Sequence, residues 1–116
     1  MDFPEKRQAQ RIRVNLPVSF EQLSGERSAG KTVTRDLSLT GLRMNMPSFF
    51  PPDTPFVVKL NFPEVNRIIE GLARVVWSQR IAFSDQYQAG LHFSEINPLF
   101  KKWLEEYIII NTAFSR

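Results

Sequence analysis

From Ile12 the chain alternates strictly between apolar and polar positions. Ile12, Val14, Leu16, Val18 and Phe20 share one face, while Arg11, Arg13, Asn15, Ser19 and Glu21 share the other. A period of two sustained over this length predicts a half-buried strand. Pro17 falls on its outward face, which places the strand at an edge or at a bulge, because proline has no N–H to give a neighbour. The polar, glycine-bounded stretch Ser24 to Gly30 predicts a turn. Lys31 to Leu37 reads as a second strand and Leu42 to Met46 as a third, joined by the turn Asp36 to Gly41. Pro47 to Pro55 is a proline-rich loop. Phe56, Val58, Leu60 and Phe62 alternate through a fourth strand, and Asn66 to Trp77 forms a long fifth, with a bulge expected at Gly71-Leu72-Ala73. Ser78 to Gln86 reads as a loop. Tyr87, Ala89, Leu91 and Phe93 alternate through a sixth strand.

The period then changes. Asn97 suits a helix N-cap and Pro98 the first helical position. Phe100, Trp103, Leu104, Tyr107 and Ile108 recur at the spacing of one helical stripe, which predicts an amphipathic helix over about 97–110. Trp103 and Tyr107 on that stripe read as core. Six short strands closed by one helix predict a mainly β fold: a six-stranded antiparallel barrel with a C-terminal helix packed on it. Closure removes the open edges that such strands would otherwise present.

At 116 residues the chain is one domain by size. A chain of this length buries roughly 65% of its extended surface, enough for a core without staples. Residues 12–116 are expected to form the barrel and helix. Residues 1–11 lack apolar periodicity and are expected to form a flexible segment that a ligand could order. The absence of cysteine excludes disulfides and thiolate metal sites and suits a reducing compartment. Residues 1–13 have no apolar stretch of a secretory leader, and no window approaches the length of a membrane helix. The expected location is cytoplasmic, with no membrane insertion.

Fifteen basic and twelve acidic residues give a net charge of +3, too mild to indicate a polyanionic partner. The distribution says more. Lys6, Arg7, Arg11 and Arg13 fall within eight positions, a local positive field that suits a small anion. Arg7 and Arg11 are planar donors four residues apart, and such forks grip phosphate and the O6/N7 edge of guanine. Asp36, Ser38 and Gly41 put a carboxylate, a hydroxyl and a glycine in one turn. The carboxylate and hydroxyl can accept from the N–H groups on guanine's other edge. The same turn residues also suit a plain hairpin cap, with Asx- and Ser-turn bonds and a positive φ at Gly41.

The order of these segments resembles the PilZ domain family over nearly the whole chain. The resemblance rests on Arg7-x-x-x-Arg11 before the first strand and on the D/N-x-S-x-x-G turn at Asp36, Ser38 and Gly41. An Ala-Arg-Val-Val-Trp strand from Ala73 to Trp77, a Gly-Leu-x-Phe strand from Gly90 to Phe93 and the terminal helix complete it. The resemblance implies a barrel that binds the bacterial second messenger cyclic di-GMP, as one molecule or a stacked dimer. It implies Arg7 and Arg11 as a clamp from the N-terminal segment, Asp36 and Ser38 as the guanine receptor, and Gly41 as the point of close approach. Lys6 stands where some members carry a further arginine; it keeps the charge but not the planar fork. Trp77 ends the fifth strand, where its ring could line the site.

Enzymatic chemistry finds no support in the residues. His92 is the single histidine, of outward parity and without a cysteine or carboxylate partner, and reads as a surface side chain. Glu105 and Glu106 are about 100° apart on the helix and make no acid/base pair. No P-loop, dinucleotide fingerprint or triad spacing is present. The chain is therefore expected to be a non-enzyme, needing no metal or cofactor, that signals to a protein partner. The alternative is a ligand-independent adaptor of the same fold, although adaptors of that kind usually lack the arginine pair. Binding of DNA or RNA is not expected, since it needs outward aromatics interleaved with basic residues, and the strands turn their Phe inward.

Overall fold

The computed structural model of the protein describes residues 10–25 and 28–114. Seven strands precede one helix: β1 (Arg11–Ile12), β2 (Pro17–Gln22), β3 (Ala29–Ser38), β4 (Gly41–Met46), β5 (Pro55–Phe62), β6 (Arg67–Arg80), β7 (Tyr87–Ile96) and α1 (Pro98–Phe114). A short 3₁₀ turn at Pro63–Val65 joins β5 to β6. All pairings are antiparallel. The strands run in the order β3-β2-β5-β6-β7-β4, and a β3–β4 pairing closes the ring, so six strands form the barrel and β1 pairs with the end of β3. The alternating apolar residues of every strand meet inside. Leu37, Leu42, Met44, Phe56, Leu60 and Ile69 are almost fully buried.

The first predicted strand is two strands. Ile12, Leu16, Val18 and Phe20 keep their inward parity, but pairing stops after Ile12 and resumes at Pro17. Thr34 of β3 explains the gap. Its buried hydroxyl donates to Val14 O and accepts from Leu16 N–H at 2.9 Å, while its own N–H donates to Leu16 O at 2.9 Å. Asn15 Nδ2 donates to Thr34 O at 2.7 Å. Side chains thus take over the ladder where the backbone departs from it. Thr34→Val keeps the shape and removes these two hydroxyl bonds, leaving a buried donor and acceptor unpaired. We expect a loss of about 2 kcal/mol, read as a lower urea midpoint with an unchanged slope.

The helix closes one end of the barrel. Leu104 and Ile108 are buried. Phe62 meets Trp103 and Tyr107 edge-on at 4.8 Å each, and those two rings stack at 5.4 Å. The Arg67 guanidinium lies 5.0 Å from the centre of the Trp103 ring. Burial, and next the charge of Glu64, push the Tyr107 phenol above its ordinary value. The helix runs four residues beyond the predicted end at 110, and β6 runs to Arg80 through part of the predicted 78–86 loop. Ile81 N–H then donates to Gln86 O at 2.9 Å and closes the tip.

Two irregularities decide which side chains face outward on one side of the barrel. Thr34 pairs with Met44, but Asp36 pairs with Arg43 and Leu37 with Leu42. Arg35 is the extra residue of a β-bulge. Simple alternation from buried Thr34 would aim Asp36 into the core. The bulge gives that inward place to Leu37 and turns Asp36 to the outer face beside Arg43. In β6, Val75 pairs with Leu91 and Trp77 with Gly90, with Val76 as the extra residue. Alternation from buried Val75 would likewise bury Trp77, and the bulge turns it out. A further shift between Leu72 and Ala73 falls within the predicted bulge, with the extra residue, Ser94, on β7.

Candidate functional site

The two bulges face each other across β4 and β7. Between them lies a cleft of about 480 Å³ bordered by Arg11, Asp36, Arg43, Trp77, Gly90 and His92. Glycine at 90 makes its floor: a Cβ there would fall 2.3 Å from Trp77 Nε1, so the indole lies directly over bare backbone. Trp77 is 39% exposed and leaves part of its ring to the cleft.

Asp36 forms the opposite wall and is 6% exposed. Its Oδ1 pairs with Arg11 Nη1, and its Oδ2 lies 2.8 Å from Arg43 Nε. The second approach is a charge contact, since the N–H of that nitrogen is aimed off the hydrogen-bond line. Arg43 also donates from Nη1 to Gln88 Oε1 at 3.2 Å. Arg11 reaches Asp36 diagonally, because its own register partner is Ser38. Two guanidiniums against one carboxylate leave the cleft positive, and the indole adds a flat apolar wall. That combination suits a planar heterocycle attached to an anion.

Ser38 has a different place from the cleft wall. It is fully buried, and its Oγ accepts from the N–H groups of Thr40 and Gly41, both at 3.2 Å. It lies 3.0 Å from Thr40 Oγ1. The hydroxyl shapes the turn that carries the cleft's rim. Gly41 lacks the positive φ expected of a hairpin-cap glycine; among the described glycines that belongs to Gly25. The requirement at Gly41 is space, since a Cβ there would lie 2.0 Å from Leu91 O.

The structure therefore brings Arg11, Asp36, Gly41 and Trp77 to one cleft, with Ser38 immediately beneath it. Lys6 and Arg7 lie outside the described residues. Arg43 and Gly90 belong to the same cleft; Gly90 was noted only as the start of the Gly-Leu-x-Phe strand, and Arg43 went unremarked although it has outward parity two residues after Gly41. His92 is exposed, as its parity predicts, and stands on the rim opposite Gly41 and Arg74. Among the described residues no cluster of His, Cys, Asp or Glu could hold a metal ion. Nor is any described helix long and apolar enough to cross a membrane.

Known proteins share this architecture. The chain is similar to the solved Bacillus subtilis inhibitor of motility MotI/DgrA, with TM-score 0.84 and 21% identity, over 97% of this chain and 54% of that one. It therefore spans about half the length of that protein. It is also similar to the PilZ domain of Escherichia coli YcgR, solved with c-di-GMP, with TM-score 0.68 and 16% identity over 97% and 95% of the two chains. The K. pneumonia MrkH–c-di-GMP complex matches with TM-score 0.72 and 15% identity, over 97% of this chain and 54% of that one. No curated protein matches the sequence. At these identities the solved structures speak for the fold alone; the sequence itself matches the family model of the PilZ domain over residues 5–109, and the chain belongs to the PilZ domain family.

Proposed function

We propose that this chain is a cyclic di-GMP receptor without enzymatic activity. Its ligand occupies the cleft between Asp36 and Trp77, as one molecule or a stacked dimer. The observation that carries this reading is the juxtaposition of Arg11 and Asp36 on a bulged rim that faces an indole lying over Gly90. Asp36 offers acceptors to guanine N–H groups. Arg11 and Arg7 grip phosphate and the guanine O6/N7 edge, and Trp77 stacks on a base. Ser38 and Gly41 hold the turn in the shape the ligand meets, and Lys6 adds charge to the clamp. The PilZ domain of YcgR and MrkH were both solved with c-di-GMP, which supports the choice of nucleotide.

Arg11 is already paired to β3; binding draws the segment ahead of it, with Lys6 and Arg7, over the cleft and so creates a surface specific to the liganded state. A protein partner that reads this surface must have different affinities for the two states, because a ligand shifts an equilibrium only by such a difference.

The test is calorimetric titration of the intact chain with cyclic di-GMP, followed in parallel by tryptophan emission. Saturable heat is expected, with quenching that disappears in Trp77→Phe while the Trp103 signal persists. No heat at tens of micromolar ligand refutes the receptor reading. Binding without any change at Trp77 removes the indole from the site and leaves the arginine–carboxylate part standing.

A further inference from the structure

Both oxygens of Asp36 are occupied, and their two partners are held very differently. Arg11 lies in a two-residue strand paired only to the end of β3, and its side chain is 49% exposed. Arg43 lies within β4, paired on one side to β3 and on the other to β7, and Gln88 fixes its far end. A phosphate or guanine edge that draws the Arg11 fork to itself takes that cation away from Asp36. A carboxylate this buried is strongly disfavoured once it stands alone. Arg43 is the cation that stays, and it reaches Asp36 only because the Arg35 bulge puts the two in register.

We propose that Arg43 is a positioning residue: the resident counter-ion that stays beside Asp36 and keeps it aimed into the cleft while Arg11 transfers to the ligand. This inference rests on the reading of the cleft as a cyclic di-GMP site. Arg43 holds Oδ2 by charge, without a directed hydrogen bond. Oδ1, the oxygen that Arg11 vacates, becomes the acceptor for the base. Arg11 thus serves two partners in turn, and the carboxylate is never without a cation.

The test is a titration series on the intact chain, with cyclic di-GMP up to millimolar so that weak complexes are still read. Arg43→Met and Arg43→Lys are compared in the native chain and in an Asp36→Asn background; asparagine belongs to the D/N-x-S-x-x-G pattern, and it needs no counter-ion. Arg43→Met is expected to bind about tenfold more weakly in the native chain, while in the Asp36→Asn chain the same change has less than about a twofold effect. Arg43→Lys keeps a cation beside the carboxylate and is expected to recover most of the affinity. Thermal melts accompany each variant, and a Met variant that does not fold leaves the Lys variant to decide. Equal losses in the two backgrounds, or a Lys variant as weak as the Met variant, overturn the proposal. A native chain that binds no cyclic di-GMP overturns the receptor reading beneath it.

Discussion

Gly41→Ala is expected to destabilise the protein by about 3 kcal/mol, near the upper end of what overpacking costs, and to lower its melting temperature by roughly 10 °C. The cause is contact. The added methyl would lie 2.0 Å from Leu91 O and 3.1 Å from His92 Cα. Both neighbours are backbone, so no rotamer change can relieve the clash. The start of β4 must instead separate from β7, where Gly41 pairs with His92 and Phe93 N–H donates to Thr40 O at 2.8 Å. The turn that Ser38 holds together opens with it. Gly71→Ala makes a useful comparison, because a Cβ there meets its nearest backbone atom, Glu95 O, at 3.3 Å, and a small adjustment suffices. Thermal denaturation of both variants checks the contrast. A Gly41→Ala protein melting with the native one would show that the strands yield freely and that close approach does not require glycine here.

Asp36→Ala is expected to leave the barrel folded and to weaken cyclic di-GMP binding about a hundredfold, as suits a charged acceptor whose loss leaves ligand donors unpaired. The fold survives because both partners of the carboxylate reach water; the side chains of Arg11 and Arg43 are 49% and 36% exposed. Neither is stranded when the carboxylate goes. Binding weakens, because guanine N–H groups then face two guanidiniums, which offer donors and no acceptor. Arg11→Ala is expected to cost roughly tenfold to a hundredfold through the lost fork. Calorimetric titration beside a thermal melt separates the two effects. Native-like affinity in Asp36→Ala would move the base-recognition role to another part of the cleft.

The barrel and its helix were largely legible as pattern. Alternation from Ile12, Phe56 and Tyr87 and the helical stripe from Phe100 each reflect which side chains leave water, and burial follows the same parity. Within the site, the residue types of the turn were legible, and their placement was not. Arg11, Asp36, Ser38 and Gly41 were marked out by residue type and spacing, and Arg11 does meet Asp36. The distinct jobs of those residues were less visible. Ser38 spends its hydroxyl on the turn's own N–H groups, and Gly41 answers a crowding that comes from Leu91, fifty residues away along the chain. Arg43 looked like any outward strand residue until β3 supplied its partner.

What the amino-acid order determined by itself was the six strands of the barrel and the helix, their order along the chain, and the kinds of group placed near the turn. These depend on local preference and on the summed burial of each strand's apolar face. The tertiary structure decided which face the decisive side chains take. Counted along the chain, Asp36 shares parity with Thr34, and Trp77 shares parity with Val75, and both of those are buried. A bulge exists only relative to a partner strand, so the extra residues Arg35 and Val76 are defined by β4 and β7 and not by their own neighbours. Each shifts the side-chain count by one, which in a strand of period two is the whole difference between core and surface. Those two shifts set a carboxylate and an indole on opposite walls of one cleft.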